Sequence, residues 1–147
     1  MELRDMYRYR IIWIFSLLLL LACRDATIQP VDLVAEDVCA HCKMAISEKE
    51  FAAEFLNQDG DAFKFDDIGC MLDHLKAKPD TKVAAYFFVD YETKRWVKSD
   101  DANFVKSAEI TAPMGGGMIA FHDPTKADVA AAKYKGKKLK FEELTRQ

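Results

Sequence analysis

The stretch Phe51–Asp90, FAAEFLNQDGDAFKFDDIGCMLDHLKAKPDTKVAAYFFVD, decides the fold. Phe51–Asn57 and Ala62–Asp66 are short, aromatic-containing runs separated by Gln58-Asp59-Gly60-Asp61. An Asp-Gly pair between two such runs is a strong hairpin signal. Asp66 or Asp67 then caps a helix in which Ile68, Met71, Leu72 and Leu75 share one face. Lys78-Pro79-Asp80 stops it, and Val83–Asp90 reads as a buried strand. The order is β-β-α-β.

Downstream the same order recurs more faintly. Arg95–Ser99 around Trp96 and Met118–His122 are short strand candidates. Asp123-Pro124 supplies a cap and a favoured first residue for a helix over Thr125–Tyr134, which Gly136 ends. Lys138–Leu144 alternates apolar and polar residues as a final strand. Two ββαβ units of this size, about 37–92 and 93–147, are each too small to fold securely alone. They are expected to pack together as one α+β body spanning 37–147.

Upstream, Arg4, Arg8 and Arg10 precede an apolar run, Ile11–Leu21, broken only by Ser16. That run is shorter than the about 20 residues that span a bilayer. With the small Ala22 before Cys23, it reads as a signal peptide over 1–22, the alternative being an uncleaved anchor helix. Leu20-Leu21-Ala22-Cys23 looks like a bacterial lipobox, which implies a lipid on Cys23 and a body facing the periplasm or cell exterior. Residues 23–36, with Pro30, are expected to be a slack tether without fixed structure. Such a chain spans about 20–25 Å between Cys23 and the next cysteines. The whole chain has 21 basic and 24 acidic residues, and removing residues 1–22 leaves 18 against 22. A mildly acidic body without a basic stripe argues against nucleic acid as partner.

The chemistry concentrates in Cys39-Ala40-His41-Cys42-Lys43-Met44. With Cys23 set aside, three cysteines remain (Cys39, Cys42 and Cys70), and an odd count leaves a thiol unpaired or on a metal. Two thiols, an imidazole and a thioether within six residues favour a soft cation, and Cu(I) is the expected one outside the cytoplasm. Lys43 after Cys42 excludes a c-type haem site. A structural zinc site wants a second ligand pair; none is present, although His41 and Cys70 remain available. A plain Cys39–Cys42 disulfide, or a lipid-anchored thiol-disulfide oxidoreductase using that pair, is the rival. Cys70 reads as a small buried hydrophobe, a third thiol only if exposed, and Asp66 as a helix cap.

Thr111-Ala112-Pro113-Met114-Gly115-Gly116-Gly117-Met118 holds three of the six glycines. Its methionines read either as ligands held on a tight loop or, for Met118, as core filler. No hydrolytic motif accompanies the carboxylates, so the chain is read as a non-enzyme.

With the lipobox, Cys-x-x-Cys-x-Met-x-Ile at Cys39–Ile46, Phe51–Glu54, Phe65–Met71, Val89-Asp90-Tyr91, Trp96 and Thr111–Gly117, the chain resembles the NosL family of copper-chaperone lipoproteins. Lys43 stands where many members carry Gly. The resemblance implies a two-part ββαβ fold that binds one Cu(I) and serves nitrous-oxide reductase or another apo-cuproenzyme. It also implies Cys42 and Met114 as ligands, with Cys39, Met44 and His41 nearby; Met118, from the glycine-rich segment itself, is a further candidate.

Overall fold

The computed structural model describes residues 28–146. The expected signal peptide and Cys23 lie outside the described residues.

The hairpin predicted from Asp59-Gly60 joins β1 (Ala53–Asn57) to β2 (Ala62–Phe65). Gly60 takes a φ of 87°, and the Asn57 carboxamide oxygen accepts the amides of Asp59 and Asp61. Helix α1 (Ile68–Ala77) follows, and β3 (Val83–Val89) returns antiparallel beside β1. The second unit repeats this plan with β5 (Asn103–Lys106), β6 (Met118–Phe121), α2 (Pro124–Lys133) and β7 (Lys137–Leu139). In each unit the first strand is central, flanked by its hairpin partner and by the strand that follows the helix. The fold is α+β, two packed ββαβ units.

Two elements of the second half differ from the sequence reading. The strand around Trp96 exists as β4 (Trp96–Lys98), but it pairs with β3 and extends the first sheet to the order β2-β1-β3-β4. The opening strand of the second unit is β5, a four-residue run that starts on a polar residue. Asn103 is nonetheless buried, donating to the carbonyl of His122 and accepting from Lys140 Nζ. At the C-terminus only Lys137–Leu139 is strand. Phe141–Leu144 forms a helical turn, α3, because the Glu143 carboxylate accepts the Lys140 amide and starts a helix there.

One core joins the units. Phe55, Phe65 and Phe88 of the first sheet pack with Met71 of α1 and with Phe104, Met118 and Leu139 of the second sheet. Phe88 and Phe104 meet edge to face at 4.7 Å between ring centres. Burying each such ring stabilises the fold by about 1.5–3 kcal/mol. On the other face of the second sheet, Val105, Ile119 and Phe121 cover Ala127 and Ala130 of α2. Asp90 locks the join: its buried carboxylate accepts the amides of Glu92, Thr93 and His122, and Tyr91 N–H donates to the Ala120 carbonyl. Burial alone would raise the Asp90 carboxyl, but those amides hold it below the ordinary range.

The segment expected to be slack is tied down from Val31 onward. The Val31 amide donates to Glu54 Oε1 at 2.8 Å, and Lys49 Nζ donates to the Leu33 carbonyl. Lys64 Nζ reaches both the Asp32 carbonyl and Asp37 Oδ2 at 2.7 Å. Glu54 is fully buried in β1, and that burial pushes its carboxyl up. The strap therefore fixes the approach of the chain to the cysteine loop. Among the described residues no helix is long and apolar enough to cross a membrane.

Candidate metal centre

Val38 and Ala45 form an antiparallel bridge, making Cys39–Met44 the turn of a small hairpin. The Cys39 amide donates to the Met44 carbonyl at 2.8 Å, and the Lys43 amide to the Cys39 carbonyl at 3.0 Å. Closing this turn requires a φ of 66° at Lys43, in the region that glycine enters without strain. The Ala40 amide donates to the Lys64 carbonyl at 2.8 Å and so hangs the turn on the edge of β2.

β2 ends at Phe65, and Asp66-Asp67 lead directly into α1. Asp67 is the N-cap, its Oδ1 accepting the Cys70 amide at 2.7 Å. Cys70 thereby sits in the first helical turn, under the cysteine hairpin. The sulfurs of Cys39, Cys42 and Cys70 and a carboxylate oxygen of Asp66 all lie within 4.8 Å of one another. The three thiols are free of disulfides, Cys39 and Cys70 buried and Cys42 half-buried. The Cys42 thiol donates to Asp66 Oδ2 at 3.6 Å.

The electrostatics keep two of these thiols neutral in the metal-free chain. Burial pushes Cys39 up, opposed by amides of Asp66, Cys42 and His41 that point at its sulfur. Cys70 is pushed far above the usual thiol range, first by burial and then by the Asp66 carboxyl and the Cys39 sulfur. Three sulfurs with one oxygen form a donor set for a soft or borderline ion. This differs from a thioredoxin-type pair, in which CxxC opens a helix: here the CxxC lies in a hairpin turn, and the third cysteine opens the helix.

The glycine loop docks on the same end of α1. Gly115 and Gly117 take φ of 76° and 61°. The Met114 amide donates to Asp67 Oδ2 at 3.0 Å, so one carboxylate caps the helix and holds the loop. Gly69 and Gly116 pass so closely that a Cβ on either would stand 3.0 Å from the other's Cα. Met114 is brought to the helix end that carries Asp66 and Cys70, with its side chain 46% exposed.

The remaining sequence candidates separate. Met44 is exposed on the cysteine hairpin. His41 is exposed too, its ring 6.1 Å from that of His74, which burial holds below the ordinary imidazole range. Met118 is buried on β6 within the shared core, where it fills space between the sheets. Asp66 and Cys70 complete the cluster: the sequence reading took Asp66 as a cap and kept Cys70 as a third thiol only if exposed, whereas it joins the cluster from a buried position. The signal available for Cys70 was the odd thiol; Asp66 stands before the Asp67 N-cap, outside the helix, where its local sequence marks it only as a cap candidate.

Fold and cluster together define a small α+β protein with a thiol-rich group of side chains that could hold a metal ion. The NosL family model matches residues 30–147, and the chain belongs to the NosL family. Among solved structures, the crystal structure of the copper chaperone NosL from Shewanella denitrificans aligns with a TM-score of 0.70 at 20% identity. That alignment covers 78% of this chain and 94% of the other, a likeness of fold. No curated protein matches the sequence.

Proposed function

We propose that the chain is a non-enzymatic metallochaperone of the cell envelope that binds copper as Cu(I) and passes it to an apo-cuproenzyme, nitrous-oxide reductase being the leading acceptor. The observation that carries the reading is the convergence of three thiols and Asp66 at the helix start on which Asp67 also holds the Met114 loop. Thiolates select a soft ion, and a thioether completes its shell without adding charge. The exposed side chains of Met44 and Met114 leave the rim open to an incoming ligand, as transfer by ligand exchange requires.

Competition against a chromophoric Cu(I) chelator under reductant tests the proposal. Cys42→Ala combined with Met114→Ala is expected to weaken binding at least about 100-fold, each lost metal ligand being worth several kcal/mol. Wild-type affinity no better than that of the double variant would end the copper reading.

The Leu20–Cys23 lipobox supports attachment through lipid on Cys23. Cys23→Ser is expected to move the protein from the membrane pellet to the soluble fraction once the signal peptide is cut. Retention in the pellet at wild-type level would instead favour an uncleaved anchor helix.

A further inference from the structure

We propose that the cluster also reduces cupric ions, spending two of its three thiols and keeping one product Cu(I) on the third. This rests on the copper reading above and extends it to how the ion is acquired. Two features exceed what Cu(I) carriage needs. A low-coordinate Cu(I) is satisfied by one thiolate and a thioether, yet three thiols lie within 4.8 Å of one another. The fourth donor, Asp66, is a hard oxygen, ill matched to Cu(I) and well matched to Cu(II).

The geometry orders the steps. Cys42, the half-buried thiol, already donates to Asp66, so a cupric ion meets that thiol and carboxylate first. Cys42 gives it one electron and a second cupric ion takes another as the Cys39–Cys42 disulfide forms. Cys70, within reach of both sulfurs and of the Asp66 carboxylate, then gives its proton to that carboxylate as its sulfur attacks Cys39. The 39–42 bond breaks, a 39–70 bond forms, and Cys42 leaves as a thiolate. In total, three thiols and two Cu(II) give one disulfide, one Cu(I) held by the Cys42 thiolate, one free Cu(I) and three protons. Two protons accompany the disulfide; the third leaves when Cys42 takes the metal. The buried pair becomes the disulfide, and the thiol nearer solvent is left to carry and release copper.

The test uses the full chain carrying Cys23→Ser, in detergent, fully reduced, metal-free and anaerobic, treated with cupric sulfate. After desalting, non-reducing peptide mapping is expected to show Cys39 linked to Cys70 within one chain, with one copper retained as Cu(I). Cys70→Ser and Cys70→Ala are expected to stop at Cys39–Cys42 and to lose the retained copper. Far-ultraviolet circular dichroism and a cooperative urea transition of the reduced, metal-free variants are expected to show both of them folded. A wild-type disulfide at Cys39–Cys42, disulfides only between chains, no disulfide at all, or undiminished copper on both Cys70 variants would overturn the proposal. Failure of wild type to bind directly supplied Cu(I) would instead remove the copper reading on which it stands.

Discussion

Asp67→Ala is expected to lower the free energy of unfolding of the metal-free chain by about 3 kcal/mol, and Asp67→Asn by about half of that. The Asp67 carboxylate is fully buried and holds two amides, that of Cys70 at 2.7 Å and that of Met114 at 3.0 Å. Loss of a helix N-cap costs about 1 kcal/mol. A buried N–H stripped of a charged acceptor costs about 1–3 kcal/mol more. Alanine removes both bonds. Asparagine keeps an oxygen for Cys70 but turns an amide nitrogen toward the Met114 N–H, donor against donor. The helix then survives while the glycine loop is released. Urea unfolding with an unchanged m-value measures the stability change. Chelator competition on Asp67→Asn isolates the loop: a loss of Cu(I) affinity out of proportion to its modest loss of stability is expected. Unchanged affinity would show that the docked Met114 loop lies outside the site.

The elements that sequence made legible are those with local signatures. Asp59-Gly60 marks the first hairpin, Asp67 and Asp123 cap their helices, and Val83–Val89 is apolar enough to be read as buried. What escaped depends on partners far along the chain. β5 opens on Asn103, whose burial is made tolerable by Lys140 and the His122 carbonyl, neither of them nearby in sequence. β4 reads as a strand from its own residues, but only its pairing with β3 assigns it to the first sheet. The strap over residues 31–37, VDLVAED, carries neither a helix nor a strand signature of its own; its order comes from Glu54, Lys49 and Lys64 on the body.

The metal centre divides the same way. Cys39, Cys42 and Met114 stand in motifs whose residue types announce soft-metal chemistry. Cys70 and Asp66 look locally like a helix residue and a cap, and become donors only because the cysteine hairpin hangs on β2 directly above them. Lys43 illustrates a departure that sequence does expose. Where the family resemblance leads one to expect Gly, this chain holds a lysine at a φ of 66°, with Nζ donating to the Ala40 carbonyl at 2.7 Å. A non-glycine residue there costs about 1 kcal/mol, which that bond and the lower entropy of the unfolded chain partly offset. The turn keeps its shape, so the substitution does not by itself remove the site.

Copper affinity is expected to rise steeply with pH, by about a factor of ten per pH unit for each thiol proton the metal displaces. Cys39 and Cys70 are both pushed above the ordinary thiol value of 9.0, chiefly by burial, so near neutral pH the metal-free chain holds those protons. Each of the buried thiols Cys39 and Cys70 that binds should add about one to the slope of the logarithm of the apparent affinity between pH 6 and 8. Cys39→Ala and Cys70→Ala should each lower the slope of the reduced protein by about one, and a slope unchanged in both variants would remove both buried thiols from the ligand set. Without metal the sign reverses. Above pH 9 the unfolded chain releases thiol protons that the folded chain retains, so the stability of the metal-free fold falls as pH rises. Oxidation of Cys39 and Cys70 to a disulfide would remove both of their contributions and lower the slope by about two. The pH slope of copper binding thus distinguishes a reduced, three-thiolate site from an oxidised, single-thiolate one in the same molecule.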